Sequence, residues 1–328
     1  MKSLLTIAIP TYNRSRQLEI NIINIIDSLS CNIKLFISDN ASDDDTARMV
    51  EQYMAMSENI SYQRNSTNIG YDGNIIKCID GCSSEYIWLL SDDDYITLAT
   101  IKRIYNILEE YQPDGMLINS KVINPETNSI IFSNLNNTIG DFQTTVNQAA
   151  ILKYGKWSTL VSSMVIRHSV INTTILNQYI GSCFIQIPIF WRSLYGKSIY
   201  ICGDVLITKN DSKAHNFSLS TSQIWLSNWV NTVHSLKDLF GKSVCEQVIR
   251  NLYSKPFYTM GSMQVHMIIA RMEGILNLKE KATLIQKIGL TGFERVMIEL
   301  LVLIPRNLIK LIYFSTRKLK KLLNKGIN

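Results

Sequence analysis

Residues 86–94 read Tyr86-Ile87-Trp88-Leu89-Leu90-Ser91-Asp92-Asp93-Asp94. Five consecutive apolar or aromatic side chains fit a short strand buried on both faces, and such runs belong to parallel sheets. Three carboxylates follow at once. Gathered at a strand end they repel one another unless a cation is supplied. One reading makes them an Asp-rich N-cap for a helix starting at Leu98. The other makes them ligands of a hard divalent cation, Mg²⁺ or Mn²⁺, shared with the oxygens of a phosphate.

Working outward, the pattern alternates. Leu4–Pro10 reads as a buried strand, Leu18–Leu29 as a helix with apolar positions at 18, 22, 25, 26 and 29, and Ile33–Ser38 as a second strand. Thr46–Met56 and Asn74–Ile79 read as helices, Ile60–Arg64 as a strand between them. On the far side come a helix over Leu98–Tyr111 and a strand over Gly115–Asn119. Strands alternating with helices imply βαβ units, hence an α/β fold with a mostly parallel sheet flanked by helices. Such sheets bind ligands beyond the carboxyl ends of their strands, where strand order reverses. The first strand ends in Thr11-Tyr12-Asn13-Arg14 and the second in Asp39-Asn40-Ala41-Ser42-Asp43-Asp44-Asp45. The second loop reads either as a helix cap or as carboxylate and amide groups for a nucleotide's base and ribose. Asn68-Ile69-Gly70 reads as a turn with Gly70 at positive φ.

Composition narrows the class. With 328 residues, 46% hydrophobic and 18% charged, and only 15 Gly and 6 Pro, the chain is neither disordered nor fibrous. Its net charge of +6 is local: residues 293–328 hold eight Lys/Arg and two acids, leaving the first 292 balanced at 25 of each sign. A balanced body argues against nucleic acid as a partner. The six cysteines include no Cys-x-x-Cys pair and read as reduced thiols, Cys78 and Cys82 as buried rather than zinc-binding. No charge-free apolar run approaches the ~18 residues that span a bilayer, and the short N-terminal run does not read as a signal peptide. The expected location is the cytoplasm.

In order and spacing these pieces resemble the nucleotide-sugar-binding half of family 2 glycosyltransferases, which have the GT-A fold, most strongly over residues 4–96. Ile9-Pro10-Thr11-Tyr12-Asn13-Arg14 looks like the opening motif, Ser38–Asp44 like the second acidic motif, Asn68-Ile69-Gly70 with Asn74 like the third, and Ser91–Asp94 stands at the Asp-x-Asp element. Leu-Leu before three Asp is similar to the subgroup of bacterial abequosyltransferase-like enzymes. The resemblance implies that Pro10, Thr11, Tyr12 and Arg14 line the donor nucleotide, with Asn68 and Gly70 beside it. It implies that Asp39 contacts the base and Asp92 or Asp93 the ribose, while Asp93 and Asp94 hold the metal. Transfer then runs with inversion from a nucleoside-diphosphate sugar to a hydroxyl of a saccharide acceptor.

Inversion needs a general base. Relatives often carry Glu-Asp where this chain has Ile185-Gln186, and a carboxamide cannot take the proton. Residues 142–203 contain no Asp or Glu, so the candidates are His168 within that stretch, or Asp141, Asp204, Asp211 or His215 approaching in space. Tyr200–Ser220 resembles the family's closing strand and loop, in which His215 would approach the metal or the diphosphate. Lys153, Lys156, Arg167, Arg192 and Lys197 in the acid-free stretch suggest a positive rim for a lipid-linked diphosphate saccharide.

The expected organisation is a GT-A domain over 1–222, in halves 1–112 and 113–222, a helical region over 223–292, and a basic amphipathic helix over 293–328. Arg295, Glu299, Arg306, Lys310, Arg317 and Lys321 fall on one stripe of that helix, which Pro305 kinks or divides. It suits the anionic inner face of a cell membrane, or alternatively packing on the domain or a second subunit. Competing readings are a sugar-nucleotide nucleotidyltransferase, whose Gly-rich loop is missing here, and a catalytically inactive nucleotide- or saccharide-binding module.

Overall fold

The computed structural model describes residues 2–124, 127, 129–133, 140–210, 223–252, 263–278, 280–290 and 292–311. The chain forms two compact units, Met1–His215 and Asn216–Asn328. The first unit contains β1 (Leu5–Thr11), α1 (Ser15–Ile26), β2 (Ile33–Asp39), α2 (Thr46–Met54), β3 (Ile60–Arg64), α3 (Gly70–Asp80), β4 (Tyr86–Leu89), β5 (Asp94–Tyr95), α4 (Leu98–Tyr111) and β6 (Gly115–Ile123). It continues with β7 (Ile130–Ser133), β8 (Phe142–Thr145), α5 (Gln148–Tyr154), β9 (Met164–Arg167), α6 (Gln186–Ser193) and β10 (Ser198–Asn210).

These strands make one sheet in the order β3-β2-β1-β4-β9-β6-β10-β5, with β7 on β6 and β8 on β10. β1 runs parallel to β2 and β4, β2 to β3, and β6 to β10. β9 lies antiparallel between β4 and β6, so the mostly parallel sheet of the sequence reading is a mixed one. The chain leaves β1 for β2 and β3 on one flank, then returns to β4 on the other. The reversal of strand order therefore falls beside β1, at the carboxyl ends of β1 and β4.

Alternation sends Leu5, Ile7 and Ile9 of β1 to one face of the sheet, where Leu18, Ile22 and Ile25 of α1 and Ile101, Ile104 and Ile107 of α4 join them in the core. Ala8 on the opposite face is equally buried, as the apolar run required. α4 is preceded by Thr97, whose hydroxyl accepts the Thr100 N–H at 3.2 Å. A threonine thus fills the N-cap, and the aspartates upstream are not its cap.

The second unit holds α7 (Val230–His234), α8 (Lys237–Phe240), α9 (Lys242–Leu252), α10 (Met263–Glu273), α11 (Glu280–Ile288) and α12 (Gly292–Leu301). Trp229, Leu236, Phe240, Ile249 and Ile298 are buried in it. The expected C-terminal helical region is present. α12 ends before Pro305, and helix resumes over 306–311. The basic residues Arg317, Lys318, Lys320, Lys321 and Lys325 lie outside the described residues.

Candidate active site

At the carboxyl ends of β1 and β4 the expected residues meet. The Thr11 hydroxyl donates to Asp92 Oδ2 at 2.9 Å. Arg14 Nη1 donates to Asp92 Oδ1 at 2.9 Å and to Asp93 Oδ2 at 2.8 Å. The Ser91 hydroxyl completes Asp93 through Oδ1 at 2.7 Å. Asp94, the first residue of β5, is paired in register with Lys209 of β10, whose positive charge acts on both Asp93 and Asp94. Its Oδ2 accepts the Ser162 hydroxyl at 2.5 Å, while Oδ1 is buried and has no hydrogen-bond partner among the described residues.

Burial dominates the electrostatics. It pushes the Asp92 carboxyl up to about 6 although Arg14 pulls the other way. Burial also pushes Asp94 up to about 6, against the pull of Lys209. For Asp93 the upward push of burial is outweighed by Lys209, the Ser91 hydroxyl and Arg14, which hold it below the usual carboxylate value. Three acids thus face two cations, a local imbalance of one negative charge. The donor set is all oxygen and one buried oxygen is orphaned, which fits a hard divalent cation at Asp94 with Asp93 beside it. The three carboxylates are not already converged. Among the described residues, the group whose ligand atoms lie within 4.8 Å of one another is Asp141, Cys202 and Asp204.

The second acidic loop builds the adjoining corner. Asp39 ends β2 fully buried: Oδ1 accepts the Ser42 N–H at 2.9 Å, Oδ2 accepts the Tyr62 hydroxyl at 2.6 Å, and Arg64 Nε lies 3.6 Å away. Ala41 is thereby held at φ 65°, and Asn13 across the loop sits at φ 53°. Left-handed backbone at non-glycine residues is uncommon and collects at functional loops. The two loops are joined by Asp43 N–H to Asn13 Oδ1 at 2.8 Å and Ser15 N–H to Asp44 Oδ2 at 2.9 Å. Asp44 also accepts the Thr46 N–H at 3.0 Å, an Asx turn leading into α2, whose N-cap residue Asp45 makes no side-chain cap bond.

Asn74 ties the corner together. Its Oδ1 accepts the Ser38 hydroxyl at 2.7 Å and Asn65 Nδ2 at 3.1 Å, and its Nδ2 donates to the Ser38 carbonyl at 2.9 Å. Asn40 donates to Asn68 Oδ1 at 2.8 Å and accepts the Ile69 N–H at 2.9 Å. Gly70 has φ 78°, as its turn reading required. Pro10 and Tyr12 flank Thr11, both partly exposed.

The base candidates among the described residues, His168, Asp141 and Asp204, are not brought to this cluster. His168 follows β9, and because β9 runs antiparallel, Arg167 pairs with Tyr86 at the start of β4. Tyr86 begins β4 and Asp92 lies in the turn after its other end, so His168 stands at the opposite end of that strand from the aspartates. His168 Nε2 instead lies 3.0 Å from the Ile79 carbonyl oxygen. Asp141 accepts Arg103, the Tyr200 hydroxyl at 2.9 Å and the Gly203 N–H at 2.7 Å, and Arg103 Nε is 3.4 Å from Asp204. This group borders a separate cavity of about 430 Å³. Asp204 stands five residues before Lys209 on β10, about 15 Å from Asp94 along the strand. Gln186 is buried, and His215 and Asp211 lie outside the described residues.

The five cations of the acid-free stretch do not share one rim. Arg167 is paired with Glu85 and Asp114, and Lys197 precedes β10, both at the opposite edge of the sheet from the aspartates. Sequence reading missed Ser162 and Asn21. Asn21 Nδ2 donates to the Asp92 carbonyl at 3.0 Å and fixes the acidic loop from α1. A buried polar residue on the apolar stripe of α1 was the available signal for Asn21, whereas Ser162 had none.

Comparison with known proteins identifies the fold and the family. Abequosyltransferase RfbV of Salmonella typhimurium (strain LT2) is 33% identical over 121 residues, which is 36% of this chain and 36% of that protein. The chain therefore spans about a third of the length of that curated relative. Two crystal structures of S. aureus TarS 1–349 share the fold. The complex with UDP-GlcNAc has a TM-score of 0.59 at 18% identity, covering 88% of this chain and 80% of that one. The complex with UDP gives 0.60 at 14% identity, with 88% and 79% covered. The model of glycosyl transferase family 2 matches residues 6–169, half of the chain and the whole span from β1 through β9 that carries the aspartates, and this protein belongs to that family.

Proposed function

We propose that this protein is an inverting glycosyltransferase that moves a sugar from a nucleoside-diphosphate donor to a hydroxyl of a lipid-linked saccharide acceptor in bacterial surface polysaccharide synthesis. The observation that carries the reading is the switch-point cluster: Asp92, Asp93 and Asp94 against Arg14 and Lys209, with one buried carboxylate oxygen unpartnered. A structural acid cluster would have its lone pairs filled.

In this reading the donor nucleotide lies along Pro10, Thr11, Tyr12 and Arg14, with its base toward Asp39 and the Asn68–Gly70 turn and its ribose toward Asp92. Asp93 and Asp94 hold Mg²⁺ or Mn²⁺, which when bound supplies Lewis-acid stabilisation of the departing diphosphate. His215 is a further ligand candidate. Arg14, whose paired carboxylates keep it protonated despite burial, stands ready to donate to a phosphate oxygen. Thr11 and Asn21 hold Asp92 so that the charge faces the cleft rather than drifting with the loop. No helix among the described residues is long and apolar enough to cross a membrane. The exposed Val296, Leu300, Leu303, Leu308 and Leu311, followed by a basic sequence, support peripheral attachment to the anionic inner face of the membrane.

The test is incubation with Mg²⁺ or Mn²⁺ and a panel of nucleotide sugars, with nucleoside-diphosphate release measured with and without a lipid-diphosphate saccharide. Acceptor-dependent release from one donor is expected. Pyrophosphate-dependent chemistry would point to a nucleotidyltransferase, and no release from any donor to a binding module.

A further inference from the structure

Asp72 lies in the first turn of α3, is 3% exposed, and has no part in the cluster described above. Its carboxylate reaches away from its own helix. Oδ2 accepts the Cys183 N–H at 2.9 Å, and Oδ1 accepts the Ile185 N–H at 3.3 Å and the Ser182 hydroxyl at 3.5 Å. The Ser182 hydroxyl accepts the Phe184 N–H at 3.0 Å in turn.

The segment held in this way is one the backbone resists. Gly181 has φ 89° and Cys183 has φ 60°, a conformation that residues with a Cβ rarely adopt. The loop leads directly into α6, whose first N–H groups lack partners within the helix, and Ile185 at the cap position has no side-chain acceptor to offer. Asp72, from a different element, accepts the N–H of Ile185 at that cap position. Burial pushes its carboxyl above the usual value although the N–H groups of Cys183 and Ile185 pull the other way; with both oxygens holding the 182–185 segment, its role is geometric.

The clamp borders the aspartate cleft. On α3, Asp72 sits between Gly70, whose carbonyl accepts Asn40 Nδ2 at 3.2 Å, and Asn74, whose Nδ2 donates to the Thr11 carbonyl at 3.4 Å. The 181–185 loop, held to this turn of α3, therefore stands at the carboxyl end of β1, whose parallel neighbour β4 leads into the aspartates. The donor corner built by Asp39, Asn40 and Asn68 lies on the β2 side of the same cleft.

We propose that Asp72 is a positioning residue for sugar transfer: by clamping the left-handed Gly181–Cys183 turn to α3 it fixes the wall against which the acceptor saccharide seats. This rests on the transfer reading above. Three full-length variants test it. In Asp72→Asn the amide group faces N–H donors, and acceptor KM should rise about tenfold or kcat fall as much, while nucleoside-diphosphate affinity by calorimetry stays within twofold of wild type. Cys183→Val puts a β-branched side chain at positive φ and should reproduce that split without touching Asp72. The double variant Asp72→Asn/Cys183→Gly lets the turn form unaided and should recover at least fivefold.

Wild-type acceptor kinetics in Asp72→Asn or Cys183→Val would overturn the proposal, as would a parallel loss of nucleotide affinity, which marks a general folding role. If Asp72→Asn does not fold, Cys183→Val decides. A wild type that transfers no sugar from any donor refutes the transfer reading instead, and slow amide exchange at Cys183 and Ile185, lost in Asp72→Asn, scores the clamp on its own.

Discussion

Arg14 is the cation that the acidic loop relies on before any metal arrives, and replacing it with methionine isolates that dependence. Methionine keeps most of the apolar stem and removes the guanidinium, so packing changes little. Two charge-assisted bonds are lost, at 2.9 and 2.8 Å, from an Arg14 side chain that is 19% exposed. Breaking a buried pair by removing one partner costs ~3–5 kcal/mol, because the remaining charge is uncompensated. Partial exposure places this case near the lower end, about 3 kcal/mol. For a folded unit of this size each kcal/mol moves Tm by about 2–4 °C. Arg14→Met should therefore melt about 6–12 °C lower in chelator at pH 8.

Two controls sharpen the measurement. At pH 5.5 the difference should shrink. Asp92, pushed up to about 6 even with Arg14 present, is then largely protonated and no longer needs the cation. With saturating Mn²⁺ the variant should gain more than wild type, since the metal supplies the missing charge. A ligand at 100 times its Kd stabilises by ~2.7 kcal/mol. Differential scanning fluorimetry over this grid is sufficient. A variant that melts within 1 °C of wild type at pH 8, or equal Mn²⁺ shifts in both proteins, would refute the claim that Arg14 and a metal neutralise the same carboxylates.

Three further outcomes are expected. Asn74→Ala strips the buried partners of Ser38 and Asn65 and should cost about 3 kcal/mol, read in urea titration, with nucleotide affinity falling because the Thr11 carbonyl loses a donor and Asn65, which donates to Asn40, loses its second acceptor. His234 is held below its ordinary 6.5 by burial and then by Lys237 and Lys287, so the unfolded chain binds the proton more readily. The stability it confers is full above pH 6.5 and lost as pH falls through its folded pKa; His234→Gln should flatten that limb of a chemical-denaturation profile. The triple change Leu303→Glu, Leu308→Glu and Leu311→Glu, on exposed side chains, should abolish flotation with anionic vesicles while leaving Tm within 2 °C. Undiminished flotation would mean that the leucines are not the lipid-binding surface.

The sequence was most legible where one physical signal was enough. β4 falls within a residue of the strand expected of it and α4 on the residues expected, because a continuous apolar run or a 3.6-residue stripe admits few alternatives. The clustering of Asp39, Asn68, Gly70 and Asn74 was legible as well, since they follow strand ends that a parallel sheet must bring together. β9 was not. It is four residues long, sits between short helical turns, and has no acid or turn signal to mark its ends. Its antiparallel direction is what sends His168 to the wrong edge and delivers Ser162 to Asp94, and direction leaves no trace in composition.

The same point explains why three aspartates in a row were ambiguous as sequence and are less so as structure. As a cap they would have satisfied backbone N–H groups, and Thr97 took that task. What remains is a set of buried carboxylates under-neutralised by Arg14 and Lys209, beside loops strained at Asn13 and Ala41. Each of these features costs stability and none improves packing. A fold selected for stability alone would neutralise Asp94 with an amide and relax Ala41 to glycine, since each change relieves a penalty visible in the structure. Their persistence together, at the one crevice where strand order reverses, is the physical argument that the crevice binds a charged ligand rather than merely closing the sheet.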